Sequence, residues 1–139
     1  MFSLDNKVHL LMFEGQLSKK IHDREFTQDD FHPDPTFQQR AQCISDFGAT
    51  CYSCRIPLDV TVGDAGWDCG HFIAYSRGGP TVRVNLRPLC ITCNRSMQDT
   101  SIGEFIRTNN KLGPTFAMMQ TDDKLLKAHS LEHLRSLIR

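Results

Sequence analysis

At 139 residues the chain has room for one core with some added helices. Hydrophobic residues at 40% and charged residues at 23% exclude a disordered polymer, and no apolar run approaches the ~20 residues of a membrane-spanning helix. The formal net charge of zero argues against a protein that coats nucleic acid non-specifically, while leaving room for a local basic face.

Taken in order, residues 6–26 carry Leu10, Phe13, Leu17 and Ile21 at helical spacing and predict an amphipathic helix. Packing on a core or partner is its ordinary use, and a nucleic-acid arm through Lys19, Lys20 and Arg24 is the lesser reading. The prolines at 33 and 35 break the chain. A second helix is expected after them, capped by Asp34, with Phe37, Ala41 and Ile44 on one face and Gly48 as its stop. Cys43 within it reads as a small buried hydrophobe.

The periodicity changes after residue 51. Ile56, Leu58, Val60 and Val62 alternate and suggest an extended segment. Residues 63–66 form a turn, 67–75 a strand, 77–80 a glycine-rich loop and 81–84 a second short strand, with 86–89 as a link into a helix that starts near Cys90 and carries Asn94. Ser101 and Glu104 are spaced to cap a short helix with Phe105 and Ile106 inward. Thr121, Asp122 and Asp123 are expected to open the last helix. Its stripe of Leu131, Leu134 and Ile138, widened by Leu125 and Leu137, suits core packing or, alternatively, a homodimer through the terminal helices.

Two Cys-x-x-Cys turns, Cys51/Cys54 and Cys90/Cys93, bracket the middle of the chain. Each turn presents two sulfurs to one ion, and Zn²⁺ takes four thiolates in a tetrahedron. A structural zinc site is therefore expected. The same cysteines could make disulfides in a secreted protein, but the spacing and the absence of a secretory cleavage pattern favour reduced thiolates in an intracellular setting, cytoplasm or nucleus. Between the turns lie His71, the Gly78-Gly79 pair and Asn85, and Asn94 directly follows the last cysteine.

This ordered set, His71, Gly78-Gly79, Asn85-Leu86 and Leu89-Cys90-x-x-Cys93-Asn94, resembles the HNH or ββα-metal endonuclease family, and in particular its four-cysteine members. The resemblance covers roughly residues 51–99. It implies an α+β fold with a ββα-metal core clamped by the four-cysteine zinc site and flanking helices at both ends. It also implies a DNA phosphodiester hydrolase in which His71 is the general base, Asn85 braces the loop and orients the imidazole, and Asn94 binds a catalytic Mg²⁺ or Mn²⁺. Imidazole suits the base because it titrates near neutral pH, and Mg²⁺ suits an oxygen-ligand site open to water and phosphate.

The sequence departs from the family pattern at one position. Many members carry an acidic residue, a metal ligand, immediately before the motif histidine, and here Gly70 stands there. In a regular strand Asp68 shares the face of residue 70, so it is the candidate substitute ligand. The alternative is a degenerate site: a non-catalytic zinc module that binds nucleic acid or a protein. Arg77, Arg83, Arg87 and Arg95 stand among residues 70–95 with no acidic neighbour, a local charge of about +4, and are the candidate phosphate contacts. Histidines at 9, 22, 32, 129 and 133 read as surface or packing residues. The expected organisation is an N-terminal helical extension over 1–48, a zinc-stabilised core over 49–110 and a C-terminal helical extension over 111–139. DNA is the expected partner and no membrane is.

Overall fold

The computed structural model describes the backbone of residues 2–138 and the side chains of residues 6–63 and 65–138. Helix α1 (Phe2–His22) buries Leu10, Phe13 and Leu17 along one side, as their spacing predicts. Helix α2 (Phe37–Phe47) begins later than the Asp34 cap would have it. Thr36 is the cap: its hydroxyl accepts from the Gln39 amide at 3.1 Å, and the Gln39 side chain accepts from the Thr36 amide at 2.9 Å. This reciprocal pair satisfies two donors at once and outcompetes an aspartate followed by proline. Gly48 ends the helix at φ +84°, as expected. The buried face is Cys43 and Phe47, with Ile44 beside it, whereas Phe37 and Ala41 are exposed.

The segment read as extended around residues 56–62 forms only an isolated bridge, Thr50 to Pro57. Leu58 alone of its four apolar residues is buried, so the alternation marks no sheet face. The sheet itself has two antiparallel strands, β1 (Asp68–His71) and β2 (Leu86–Leu89), in register from Asp68 opposite Leu89 to His71 opposite Leu86. The strand predicted over 67–75 therefore stops at His71. The one predicted over 81–84 is displaced: Arg83–Asn85 is a 3-10 turn, and the supposed link at 86–89 is the strand. Pro88 explains how a proline sits there. Its carbonyl points away from β1 to the Tyr52 amide at 2.8 Å, so its missing N–H lies on the side where β1 needs no donor.

Helix α3 (Ile91–Met97) follows at once, capped by Cys90, whose sulfur accepts from the Cys93 amide at 3.3 Å. Helix α4 (Ile102–Thr108) is capped by Ser101, which accepts from the Glu104 amide and donates to Glu14 of α1 at 2.6 Å. Phe105 and Ile106 point inward. Helix α5 (Phe116–Ile138) starts well before the expected Thr121. Only Leu125 and Leu126 of its leucines enter the core; Leu131, Leu134, Leu137 and Ile138 remain 54–79% exposed, which corrects the core-packing reading of that stripe.

Asp122, expected at a solvated helix start, is instead fully buried opposite a fully buried Arg87. The Arg87 guanidinium lies among Phe13, Phe47, Tyr52 and Phe72, with ring centroids 4.6–5.5 Å away, and its Nε donates to Asp122 Oδ1 at 3.0 Å. The other Asp122 oxygen accepts from the Tyr52 hydroxyl at 2.5 Å and meets His9 Nε2 at 2.8 Å. One ion pair thus joins α1, the first cysteine turn, β2 and α5 inside a single hydrophobic cluster that includes residues from both flanking segments. No helix of the described residues is long and apolar enough to cross a membrane.

Candidate active site and metal centre

The cysteine turns come together because β2 runs from Leu86 straight into the Cys90 cap of α3, while the Tyr52 amide holds the first turn against β2. Cys51, Cys54, Cys90 and Cys93 place their four sulfurs within 4.8 Å of one another, and all six cysteines of the chain are free. The Cys54 and Cys90 sulfurs are 3.8 Å apart. A tetrahedral site with ~2.3 Å metal–sulfur bonds has edges of about 3.8 Å, so this pair is already at metal spacing and the remaining sulfurs lie close to it. Burial pushes the Cys51 and Cys93 thiols up, so those two thiolates are costly to hold here without a cation. The disulfide alternative has no support in this geometry: the sulfurs converge as a foursome rather than bonding in pairs.

Beyond this cluster, β1 and α3 form the floor of an open cleft of about 480 Å³. His71, Asp68, Gly70 and Asn94 line it, together with Arg40 and the loop at Pro33, Asp34 and Pro35. Asn94 directly follows the last cysteine of the metal cluster, so the cluster fixes its position. Its Nδ2 donates to Asp68 Oδ2 at 3.0 Å, which aligns the amide and leaves one oxygen on each side chain available. Gly70 has a steric reason. A Cβ there would lie 2.5 Å from Leu89 Cδ1 and 2.8 Å from Asn94 Oδ1. A side chain at 70 would press on the tips of Leu89 and Asn94, which would have to shift, and Asp68 offers a carboxylate one pleat away on the same face.

Asn85 is fully buried and does not face the cleft. Its Oδ1 accepts from the Ile73 amide at 2.8 Å, and its Nδ2 donates to the Ile73 and Pro80 carbonyls at 3.1 and 2.8 Å. It therefore staples both ends of the loop that follows His71. Gly79 lets that loop close: a Cβ would lie 1.7 Å from the Ile73 carbonyl oxygen. His71 Nε2 is 2.8 Å from Thr81 Oγ1, and the Thr81 hydroxyl donates to the His32 carbonyl. Burial pulls the His71 imidazole down to about 4; the nearby His32 adds to this and Asp34 opposes it.

The four candidate arginines separate. Arg87 is fully buried, so it is removed from any nucleic-acid surface: its charge is taken up by Asp122 and by ring faces. Arg83 is held at both Nε and Nη2 by Asp46, at 2.8 and 2.7 Å, and does not line the cleft. Arg77 is exposed beside Tyr75 and Ser76 of the cleft wall, with Asp99 at 3.3 Å. Arg95 is exposed on α3 next to Asn94. Sequence reasoning missed Thr81, the His32 carbonyl, Asp34 and Arg40. Arg40 stacks on Trp67 at 4.2 Å and donates to its carbonyl at 3.1 Å, which carries a cation from α2 to the cleft. No local pattern marks these residues, since each acts across a turn or from another element.

Residues 51–100, a little over a third of the chain, match the model of the family described as HNH endonuclease. That segment is an HNH domain. The matched stretch contains the four cysteines, both strands, α3 and His71, Asn85 and Asn94, but none of the residues at 33–40 that wall the HNH cleft. No curated protein and no solved structure matches the chain.

Proposed function

We propose that the protein is a metal-dependent endonuclease that hydrolyses DNA phosphodiester bonds in the HNH cleft. The observation that carries this is the placement, in one open cleft, of an imidazole at His71 and an aligned oxygen pair at Asn94 and Asp68. The four cysteines hold zinc as a structural ion. Zinc bound in this way supplies roughly 10–16 kcal/mol of apparent binding energy, on the scale of a whole domain's stability.

In this reading His71 takes the proton of a water, the water oxygen bonds to phosphorus, and the P–O3′ bond breaks as the leaving O3′ takes a proton from solvent. The products are a 3′-hydroxyl and a 5′-phosphate. Burial keeps His71 neutral at pH 7, so the base is ready in nearly every molecule. Asn94 and Asp68 would hold Mg²⁺ or Mn²⁺, which supplies charge stabilisation at the phosphate and leaving oxygen. Arg77 and Arg95 bind flanking phosphates. Asn85 keeps the loop after His71 closed.

The competing reading, a non-catalytic zinc module, is favoured by one observation, the absence of an acid at position 70. The Asp68–Asn94 bond weighs against that reading, because it places a carboxylate on the same face. Nicking of supercoiled plasmid by zinc-loaded protein decides between them. Cleavage that needs added Mg²⁺ or Mn²⁺ and is lost in both His71→Ala and Asp68→Asn supports the nuclease. DNA binding without cleavage under all metal conditions supports the module.

A further inference from the structure

Thr81 carries a role that neither the motif nor the family match assigns. We propose that Thr81 is a positioning residue that fixes the tautomer of His71 and thereby makes the N-terminal segment part of the catalytic site. This deepens the nuclease reading and rests on it.

Hydrogen counting assigns the tautomer. A hydroxyl has one proton to give. Thr81 gives it to the His32 carbonyl, which can only accept. Toward His71 the same oxygen can then only accept, so the hydrogen between Thr81 Oγ1 and His71 Nε2, 2.8 Å apart, belongs to the imidazole. The neutral ring consequently carries its proton on Nε2 and its lone pair on Nδ1. Nδ1 has no hydrogen-bond partner among the described residues, and His71 lines the cleft. The nitrogen free to accept a proton from water is the one left unprotonated by this relay.

Thr81 is itself held from outside the HNH segment. Its amide donates to the Asp30 carbonyl at 2.7 Å, and its carbonyl accepts from the Gln39 side chain at 2.8 Å. Asp30, His32 and Gln39 all precede the matched residues 51–100. Three contacts from one segment thus converge on a residue that is 1% exposed and faces the imidazole. Packing alone would need no such oxygen, since valine has the same shape.

The test is Thr81→Val beside Thr81→Ser in the full zinc-loaded chain. Both variants keep the backbone bonds to Asp30 and Gln39, so both should fold, with a thermal midpoint close to wild type for serine. Long-range ¹H–¹⁵N correlation spectra report the His71 tautomer without any reference to activity. The expected wild-type spectrum shows an Nε2-protonated ring, Thr81→Ser the same, and Thr81→Val a raised Nδ1-protonated population. In plasmid cleavage, Thr81→Val should lose roughly 10- to 100-fold in kcat, the range for removing an outer partner that orients a histidine, with KM and Mn²⁺ affinity unchanged. Thr81→Ser should restore most of that loss. A wild-type His71 protonated on Nδ1, or a Thr81→Val protein with wild-type kcat, or a serine variant as slow as valine, overturns the proposal. If wild-type protein cleaves no DNA, the nuclease reading falls, and the tautomer populations still decide the role of Thr81.

Discussion

Two polar assemblies meet at the small sheet, one around Arg87 and one around His71, and they differ in what they leave unspent. Around Arg87 every charge is matched: Asp122 meets the guanidinium with one oxygen and Tyr52 and His9 with the other, and four aromatic rings close the space. Around His71 the groups are only half matched. Among the described residues Nε2 is bonded and Nδ1 is open, and Asn94 and Asp68 bond once to each other and keep oxygens free. A matched ion pair makes a clamp, even with Arg87 Nη2 left without a hydrogen bond, and the open groups around His71 leave room for a water, an ion or a phosphate. The contrast separates residues that hold the fold from those proposed to act, although both kinds are polar.

The severest challenge to this contrast is at the cysteines. Removing the metal with a strong chelator, or Cys93→Ser, should unfold the region that both assemblies share, since roughly 10–16 kcal/mol of folding energy goes with the ion. Circular dichroism and a thermal scan read this, and retention of the native transition would contradict it. His71→Ala should then act on one side only. Cleavage should fall ~10²–10⁴-fold with the melting curve unmoved. Asp122→Ala should do the reverse. Leaving Arg87 buried and unpaired costs about 3–5 kcal/mol, while kcat per folded molecule stays near wild type; denaturant melts together with active-site titration would expose any deviation.

A finer test uses pH. The general base must be neutral, and His71 is drawn down to about 4 by burial. Its neutral fraction is therefore almost constant from about pH 7.5 to 6, whereas an ordinary histidine near 6.5 would lose about three-quarters of its neutral form over that interval. A flat kcat profile in this window is expected, and a steep acid limb near 6.5 would show that His71 is not the limiting base. The same shift means that the unfolded chain binds the proton more readily between about pH 4 and 6.5, so this group makes the fold less stable as pH falls through that range. The smallest effect should come from Arg95→Ala. It should weaken binding to all DNA sequences alike and lower the slope of log affinity against log salt by about one.

The two assemblies also differ in how far a sequence displays them. The cysteine cluster is legible because a Cys-x-x-Cys turn is a local object, and two of them have few other uses. His71, Asn85 and Asn94 are legible as an ordered set, and the structure brings His71 and Asn94 to one cleft while Asn85 staples the loop behind. Asp68 is reachable from strand pleating alone. Arg87 is not legible, because an arginine between strand residues looks the same whether solvent or Asp122 neutralises it. Nor is Asp122, which resembles a helix cap until the helix is known to start at Phe116. The strand at Leu86–Leu89 reads as a link because Pro88 resists strand assignment wherever its orientation is unknown. Thr81 stays invisible since its partners come from Asp30, His32 and Gln39, far away in sequence.

The Arg87–Asp122 pair has a consequence for the order in which the chain becomes a protein. The arginine and its carboxylate are separated by 35 positions, so the arginine leaves the ribosome first. Until α5 follows, β2 carries a bare cation into a pocket of aromatic rings, and the sheet should be reluctant to close. Maturation of the cleft would then wait on a segment that never touches it. A fragment ending at residue 110 would have every residue of the motif and still lack the anion that lets them assemble.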